Sequence, residues 1–121
     1  MPLTHPPLPK RCNPVCIGGT SIDTGLTVMS AMMKSCDRLR CLSCDFKCIR
    51  FDDAVWDDGL VSYLFFRNFM PDVAKLRKGI KFRKGHVCFC CQCSWCGIGD
   101  EAKALSSVAQ FEKAKWVCGG H

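Results

Sequence analysis

Apolar and polar positions alternate most regularly in the second half of the chain. From Asp45, Phe46, Cys48 and Arg50 fall on one face of an extended segment and Lys47, Ile49 and Phe51 on the other, with the turn-forming pair Asp52-Asp53 as its bound. A second strand is expected at Val61 to Arg67, where Tyr63-Leu-Phe-Phe66 is bulky and β-favouring. Pro71 opens a short helix to about Lys78, stopped by Gly79. Val87 to Trp95 reads as a third strand, with Val87, Phe89, Cys91, Cys93 and Trp95 on one face and Cys88, Cys90, Gln92 and Ser94 on the other. Asp100 is placed to cap a helix through about Lys113, because Ala102, Leu105, Val108, Ala109 and Glu112 fall near one stripe. Trp116-Val-Cys118 completes the pattern as a last short strand.

The first part of the chain is less regular. Pro2, Pro6, Pro7 and Pro9 make residues 1–11 an extended proline-rich arm, leaving 12–121 as a single cysteine-rich domain. Pro14 to Thr20 reads as a short strand ending in a glycine turn, whereas Leu26 to Met33 is apolar but ambiguous between helix and loop. The expected fold class is α+β: a small antiparallel sheet of three to five strands, one main C-terminal helix, and zinc as a staple.

Composition narrows the class. A chain of 121 residues with 48% hydrophobic content can bury one modest core. It is too apolar for wholesale disorder, and no run approaches the roughly 18 apolar residues of a membrane span. Twelve cysteines mean either a disulfide scaffold or thiolate metal sites. The N-terminal MPLTHPPLPKRC has no apolar h-region, so the thiols are expected to be cytoplasmic, reduced and zinc-binding.

Zinc takes four ligands in a tetrahedron, and a Cys-x-x-Cys turn supplies two because the chain can fold back and aim both sulfurs at one point. Three such pincers are present: Cys41-Leu-Ser-Cys44, Cys93-Ser-Trp-Cys96 and Cys118-Gly-Gly-His121. Any two would complete one site. Cys91 and Cys93, two apart on a strand, form another pair, and Cys36 can join either site. Cys48, Cys88 and Cys90 read as small buried hydrophobes. Arg38, Arg40, Phe46, Trp95 and Trp116 flank the pairs as packing groups.

The net charge of +6 is unevenly placed. Residues 51–74 carry Arg67 against five Asp, and residues 75–86 then carry Lys75, Arg77, Lys78, Lys81, Arg83 and Lys84 with no acid. This strip is either a contact for phosphate, in an anionic lipid surface or a nucleic acid, or a solvated face that keeps a small domain in solution. The acidic tails of tubulin are a further candidate partner, though no dedicated tubulin-binding pattern is present. Catalysis has little support: His5, His86 and His121 are not set beside a candidate nucleophile, and Cys93-Ser-Trp-Cys96 lacks the strand-then-helix setting of a redox dithiol. No enzymatic activity is expected.

Four strings give the chain a family likeness: Cys36-Asp-Arg-Leu-Arg-Cys-Leu-Ser-Cys-Asp-Phe46, Tyr63-Leu-Phe-Phe-Arg-Asn68 with Met70-Pro71, Cys91-Gln-Cys-Ser-Trp95, and Trp116-Val-Cys-Gly-Gly-His121. In this order they resemble the C-terminal cysteine-rich domain of the cilia- and flagella-associated protein 418 family. The resemblance extends weakly upstream through Cys12-Asn-Pro-Val and Ile17-Gly-Gly-Thr-Ser21. It implies a non-enzymatic structural or adaptor protein of the ciliary base, axoneme or flagellum, tied in vertebrates to photoreceptor outer segments. Its partners would be ciliary or axonemal proteins in a larger assembly. The family pattern falls on Cys12, Cys36, Cys41, Cys44, Cys91, Cys93, Cys118 and His121, and not on Cys16, Cys48, Cys88, Cys90 or Cys96, which demotes the Cys93/Cys96 pincer. Seven thiols and one imidazole can serve two zinc ions, or one ion plus buried packing. One zinc on three thiolates and a histidine lowers +6 to about +5, and a second on four thiolates lowers it to about +3. A nucleic-acid-binding zinc ribbon is the alternative function, and a dithiol redox protein a weaker one.

Overall fold

The computed structural model describes residues 10–108 and 114–121. It is α+β, built from three small antiparallel sheets rather than one. Strands β3 (Ile49–Trp56), β4 (Ile80–Cys90) and β5 (Trp95–Ile98) form the central sheet in that order. Two ribbons flank it: β1 (Cys16–Gly18) pairs with β6 (Ala102–Ala104), and β2 (Leu39–Cys41) pairs with β7 (Trp116–Cys118). Helices α1 (Tyr63–Phe69) and α2 (Val73–Leu76) lie between β3 and β4 in the chain.

The central strand β4 is covered on both faces over Val87–Cys90, where every residue is buried. Val87 and Phe89 join one core with Ile17, Leu39, Ile98, Leu105 and Trp116, whereas Cys88 and Cys90 join a second with Phe51, Trp56, Phe66 and Leu76. Alternation along one strand thus divides the protein into two cores. A thiol suits such a position because it is small, apolar and costs nothing to leave unbonded.

Strand β3 does not end at Asp52-Asp53. Asp52 faces Val87 and Ala54 faces Phe82, so Asp53 alone spans the four residues 83–86 of β4. Asp53 adopts φ +52° and its carboxylate accepts the Gly85 N–H at 2.9 Å. The turn tendency of the Asp pair is used as a bulge inside the ladder instead of as a strand end. Gly85 in turn receives Thr20 N–H at its carbonyl. At Gly19 a Cβ would lie 2.5 Å from the Gly85 oxygen and 2.5 Å from the Asp100 Cα, so only glycine lets these three loops meet.

Three further expectations are corrected. Residues 61–67 form no strand: Ser62 Oγ accepts Phe65 N–H at 3.2 Å and starts α1, and Phe66 and Met70, four apart, turn into the core. Phe66 stacks on Trp95 at 4.7 Å and meets Trp56 edge-on at 4.9 Å, and these tertiary contacts outweigh β propensity. The segment from Val87 to Trp95 is not one strand but a hairpin: β4 continues back to Ile80, the chain turns at 91–94, and Cys90 pairs with Trp95. No helix starts at Asp100. Its carboxylate accepts Ser21 N–H, and the following residues extend as β6 on β1 and then tighten into one 3₁₀ turn, Leu105–Ser107. The remainder of that expected helix, 109–113, and most of the proline arm lie outside the described residues. The helix expected from Pro71 is shorter, with Asp72 as cap and a 3₁₀ turn over Arg77–Gly79. Strands at 16–18 and 116–118 appear where the pattern puts them.

Phe66→Ala should lower the unfolding free energy by about 3–5 kcal/mol. Phe82→Ala, at a side chain 80% exposed, should stay within about 0.5 kcal/mol. Urea denaturation of both variants decides whether the aromatic stack carries this weight.

Candidate metal centres

The β2–β7 ribbon is only three residue pairs long, with Leu39 opposite Cys118 and Cys41 opposite Trp116. Cysteines stand at both of its ends. Past Cys41 the chain reverses: Asp45 takes φ +64°, its N–H donates to the Cys41 carbonyl, and the Cys41 N–H donates to the Phe46 carbonyl. This brings Cys44 beside Cys41. The β4–β5 turn, closed by Cys91 N–H on the Ser94 carbonyl at 2.9 Å, brings Cys91 and Cys93 to the same place. Cys41, Cys44, Cys91 and Cys93 form a quartet whose sulfurs all lie within 4.8 Å of one another.

A second quartet forms at the other end of the ribbon from Cys12, Cys36, Cys118 and His121, again within 4.8 Å. Cys36 is held by its N–H on the Cys16 carbonyl, and a pair of backbone hydrogen bonds joins Lys10 to His121. Gly120 lets the chain turn between Cys118 and His121 with φ +103°. The imidazole points Nε2 at the thiols, 3.3 Å from Cys12 Sγ and 3.7 Å from Cys36 Sγ.

These spacings fit a tetrahedral ion. Zinc–sulfur bonds of about 2.3 Å and zinc–nitrogen bonds of about 2.0–2.1 Å give tetrahedron edges of roughly 3.8 Å between sulfurs and roughly 3.5 Å from nitrogen to sulfur. The Cys41–Cys93 and Cys91–Cys93 sulfurs are 3.6 and 3.7 Å apart. All twelve cysteines are free thiols, so disulfides do not account for the convergence. N–H groups also point at the sulfurs: Ser43 N–H at Cys41 (3.3 Å), Thr27 N–H at Cys12 (3.4 Å) and the Trp116 indole at Cys91 (3.1 Å). Such donors favour thiolate over thiol.

Protonation within each quartet is uneven. Burial pushes the thiols of Cys12, Cys36, Cys91 and Cys93 up. Burial also acts on Cys44, but the N–H groups of Phe46 and Gln92 and the thiols of Cys41 and Cys91 outweigh it and bring Cys44 down to about 7. Cys118 is lowered in the same way, against burial, by the Cys12 and Gly120 N–H groups and the Cys36 and Cys12 thiols. Each quartet therefore holds one thiol whose deprotonation its neighbours favour. A divalent cation would invert this balance and deprotonate the rest.

All eight candidate ligands thus fall into the two quartets, but their grouping was not legible in the spacing. Cys41/Cys44 takes Cys91/Cys93 as its partner, and Cys118/His121 takes Cys12 and Cys36. Cys96 belongs to neither: it is buried in β5, where burial raises its thiol to about 12, as it does for Cys88. Arg40 is engaged with Asp45 at 2.7 Å, and Trp95 with Phe66. The six residues of the basic strip are exposed, with Lys75, Arg77 and Lys78 on and after α2 and Lys81, Arg83 and Lys84 on the first half of β4, around the exposed Phe82. Lys75 lies over the Phe69 ring, Arg77 over the Phe51 ring, and Lys81 pairs with Asp57 at 3.6 Å. No helix among the described residues is long and apolar enough to cross a membrane.

The family described as Retinal Maintenance matches residues 3–121, a span that includes both quartets and the basic strip. The chain belongs to that family. Among its curated relatives is Cilia- and flagella-associated protein 418 of Danio rerio, 45% identical over 112 residues that cover 93% of this chain and 52% of the relative. The protein of the same name from Homo sapiens is 42% identical over 114 residues, covering 94% and 52%. That from Mus musculus is 38% identical over 112 residues, covering 93% and 51%. The chain spans about half the length of these members of the Retinal Maintenance family. No solved structure matches it.

In the folded, metal-free chain Cys44 should be alkylated ahead of Cys88 and Cys96, with a rate that rises as pH passes through about 7, where its thiolate forms. Mass-spectrometric mapping after brief iodoacetamide treatment reads the order; labelling of Cys88 or Cys96 first would refute the hydrogen-bond account of Cys44.

Proposed function

We propose that this chain is a zinc-stapled, non-enzymatic structural or adaptor module of the cilium or flagellum. The observation that carries the reading is the convergence of eight ligand side chains, from five separate stretches of sequence, into two tetrahedron-sized quartets. Donor sets of four thiolates, or of three thiolates and an imidazole, suit zinc. Family membership supports the ciliary setting.

Zinc would act here on folding. Two-stranded ribbons of three residues are not stable alone, and β2–β7 relies on the burial of Leu39 and Trp116 in the core and on what closes its two ends. One ion would tie residue 12 to residues 118 and 121, and the other would tie the β2 knuckle to the β4–β5 turn. Among the described residues, each quartet would close its ion with four side chains and leave that ion no open coordination position for chemistry. Recognition then falls to the surface. The basic strip with Phe82 at its centre suits an anionic partner, either the acidic face of a ciliary or axonemal protein or a membrane of acidic lipids. Lys81 lies about 20 Å from the β4–β5 turn along β4, since its partner Val55 is six residues from Ile49, the partner of Cys90, so binding there would leave the four-thiol quartet undisturbed.

Protein purified under reducing conditions should contain two zinc equivalents by metal analysis, and a strong chelator should lower its melting temperature. A metal-free preparation whose melting ignores chelator would end the stapling idea. Replacing Lys78, Lys81 and Lys84 together by Glu should abolish co-sedimentation with acidic vesicles and leave the zinc content at two. Retained vesicle binding would reduce the strip to a solvated face.

A further inference from the structure

The imidazole of His121 has two nitrogens, and the structure gives each a different neighbour. Nε2 faces Cys12 and Cys36, as described above, and Nδ1 faces the carboxylate of Asp37, with Nδ1 to Oδ1 at 3.5 Å. The histidine side chain is 15% exposed and the aspartate side chain 47%. The ring thus stands between a buried group of thiols and a carboxylate at the protein surface. Both partners are placed by backbone: His121 through its two hydrogen bonds to Lys10, and Asp37 as the residue after Cys36, whose N–H is bonded to the Cys16 carbonyl.

We propose that Asp37 is the positioning residue of the three-thiol, one-imidazole centre, holding the proton of His121 on Nδ1 so that Nε2 presents its lone pair to the metal. The inference rests on reading that quartet as a zinc centre. A neutral imidazole carries one proton, and it can ligate only through the nitrogen without it. Free histidine prefers the proton on Nε2, which is the wrong tautomer for this geometry. An acceptor beside Nδ1 reverses the preference, and a carboxylate does so more strongly than a neutral oxygen while making the ligating nitrogen more basic. The 3.5 Å separation is slightly long for a full hydrogen bond, and the exposed Asp37 side chain has room to turn inward when the ring is fixed by a metal. Arg38 Nε lies 4.0 Å from Asp37 Oδ1, a contact between two exposed groups that competes only weakly. The four-thiol quartet has no imidazole, so it serves as an internal reference within the same chain.

The test compares wild type with Asp37→Asn and Asp37→Ala, using Co2+ and Zn2+ with a competing chelator. The two quartets are followed separately by Co2+ absorption, in which a four-thiolate site and a three-thiolate, one-imidazole site differ. Asp37→Ala should weaken the histidine-containing quartet by about 10–100-fold, Asp37→Asn by less, and neither should alter the four-thiol quartet. In zinc-loaded wild type, long-range proton–nitrogen NMR should find His121 protonated at Nδ1 and metal-bound at Nε2. Equal affinities in all three proteins, metal on Nδ1, or equal weakening of both quartets would overturn the role of Asp37 while leaving the centre intact. A wild-type chain that loads the four-thiol quartet alone would overturn the zinc reading of this centre, and Asp37 with it.

Discussion

Four sulfurs held within 4.8 Å of one another are a poor arrangement for thiolates alone, because each new negative charge raises the cost of the next. Without a cation most must stay protonated, and their proximity brings little stability. With a divalent cation at the centre the same proximity becomes the strongest cross-link available to a small domain. The rest of the architecture is consistent with that dependence. The sheets have two or three strands, the longest described helix has seven residues, and the buried residues divide into two cores.

The ribbon of β2 and β7 shows how the constraint is distributed. Cys41 and Trp116 face each other at one end, with the Trp116 indole on Cys91, and Cys118 stands opposite Leu39 at the other. One quartet takes Cys41 from the end of β2, with Cys44 just past it, and adds the β4–β5 turn; the other takes Cys118 from the end of β7, with His121 just past it, and adds residues 12 and 36. The order along the chain is nested, with the four-thiol quartet wholly inside the span of the histidine-containing one.

Charge and chemistry occupy different parts of the molecule. Loading both quartets would lower the net charge from +6 to about +3 and place negative complexes at the two ends of the β2–β7 ribbon. The six residues of the basic strip stay positive, on α2 and the turn after it and on the bulged first half of β4. There the three extra residues opposite Asp53 leave Arg83 and Lys84 exposed. The bulge that corrects the expected strand end is thus also what shapes this surface.

Local spacing by itself offered the half-sites, but it offered Cys93-Ser-Trp-Cys96 on the same footing, and the family pattern rather than spacing set that pair aside for Cys91 and Cys93. Cys41-Leu-Ser-Cys44, Cys91-Gln-Cys93 and Cys118-Gly-Gly-His121 each bring two ligands together because a few residues of backbone suffice, and Cys88 and Cys90 read as packing because a small apolar side chain fits a strand buried on both faces. The sequence also determined the short strands at 16–18 and 116–118 and the exposed basic run. Which half-site meets which was decided only in three dimensions, since the Leu39–Cys118 and Cys41–Trp116 pairings join residues far apart in the chain with no local signal of one another. Tertiary contact likewise decided residues 61–69 and 100–108. Phe66 turned a β-favouring run into a helix by reaching Trp56 and Trp95, and the open edge of β1 drew a helical-looking stripe into a strand, because buried rings and unpaired backbone groups outweigh the small differences in local propensity.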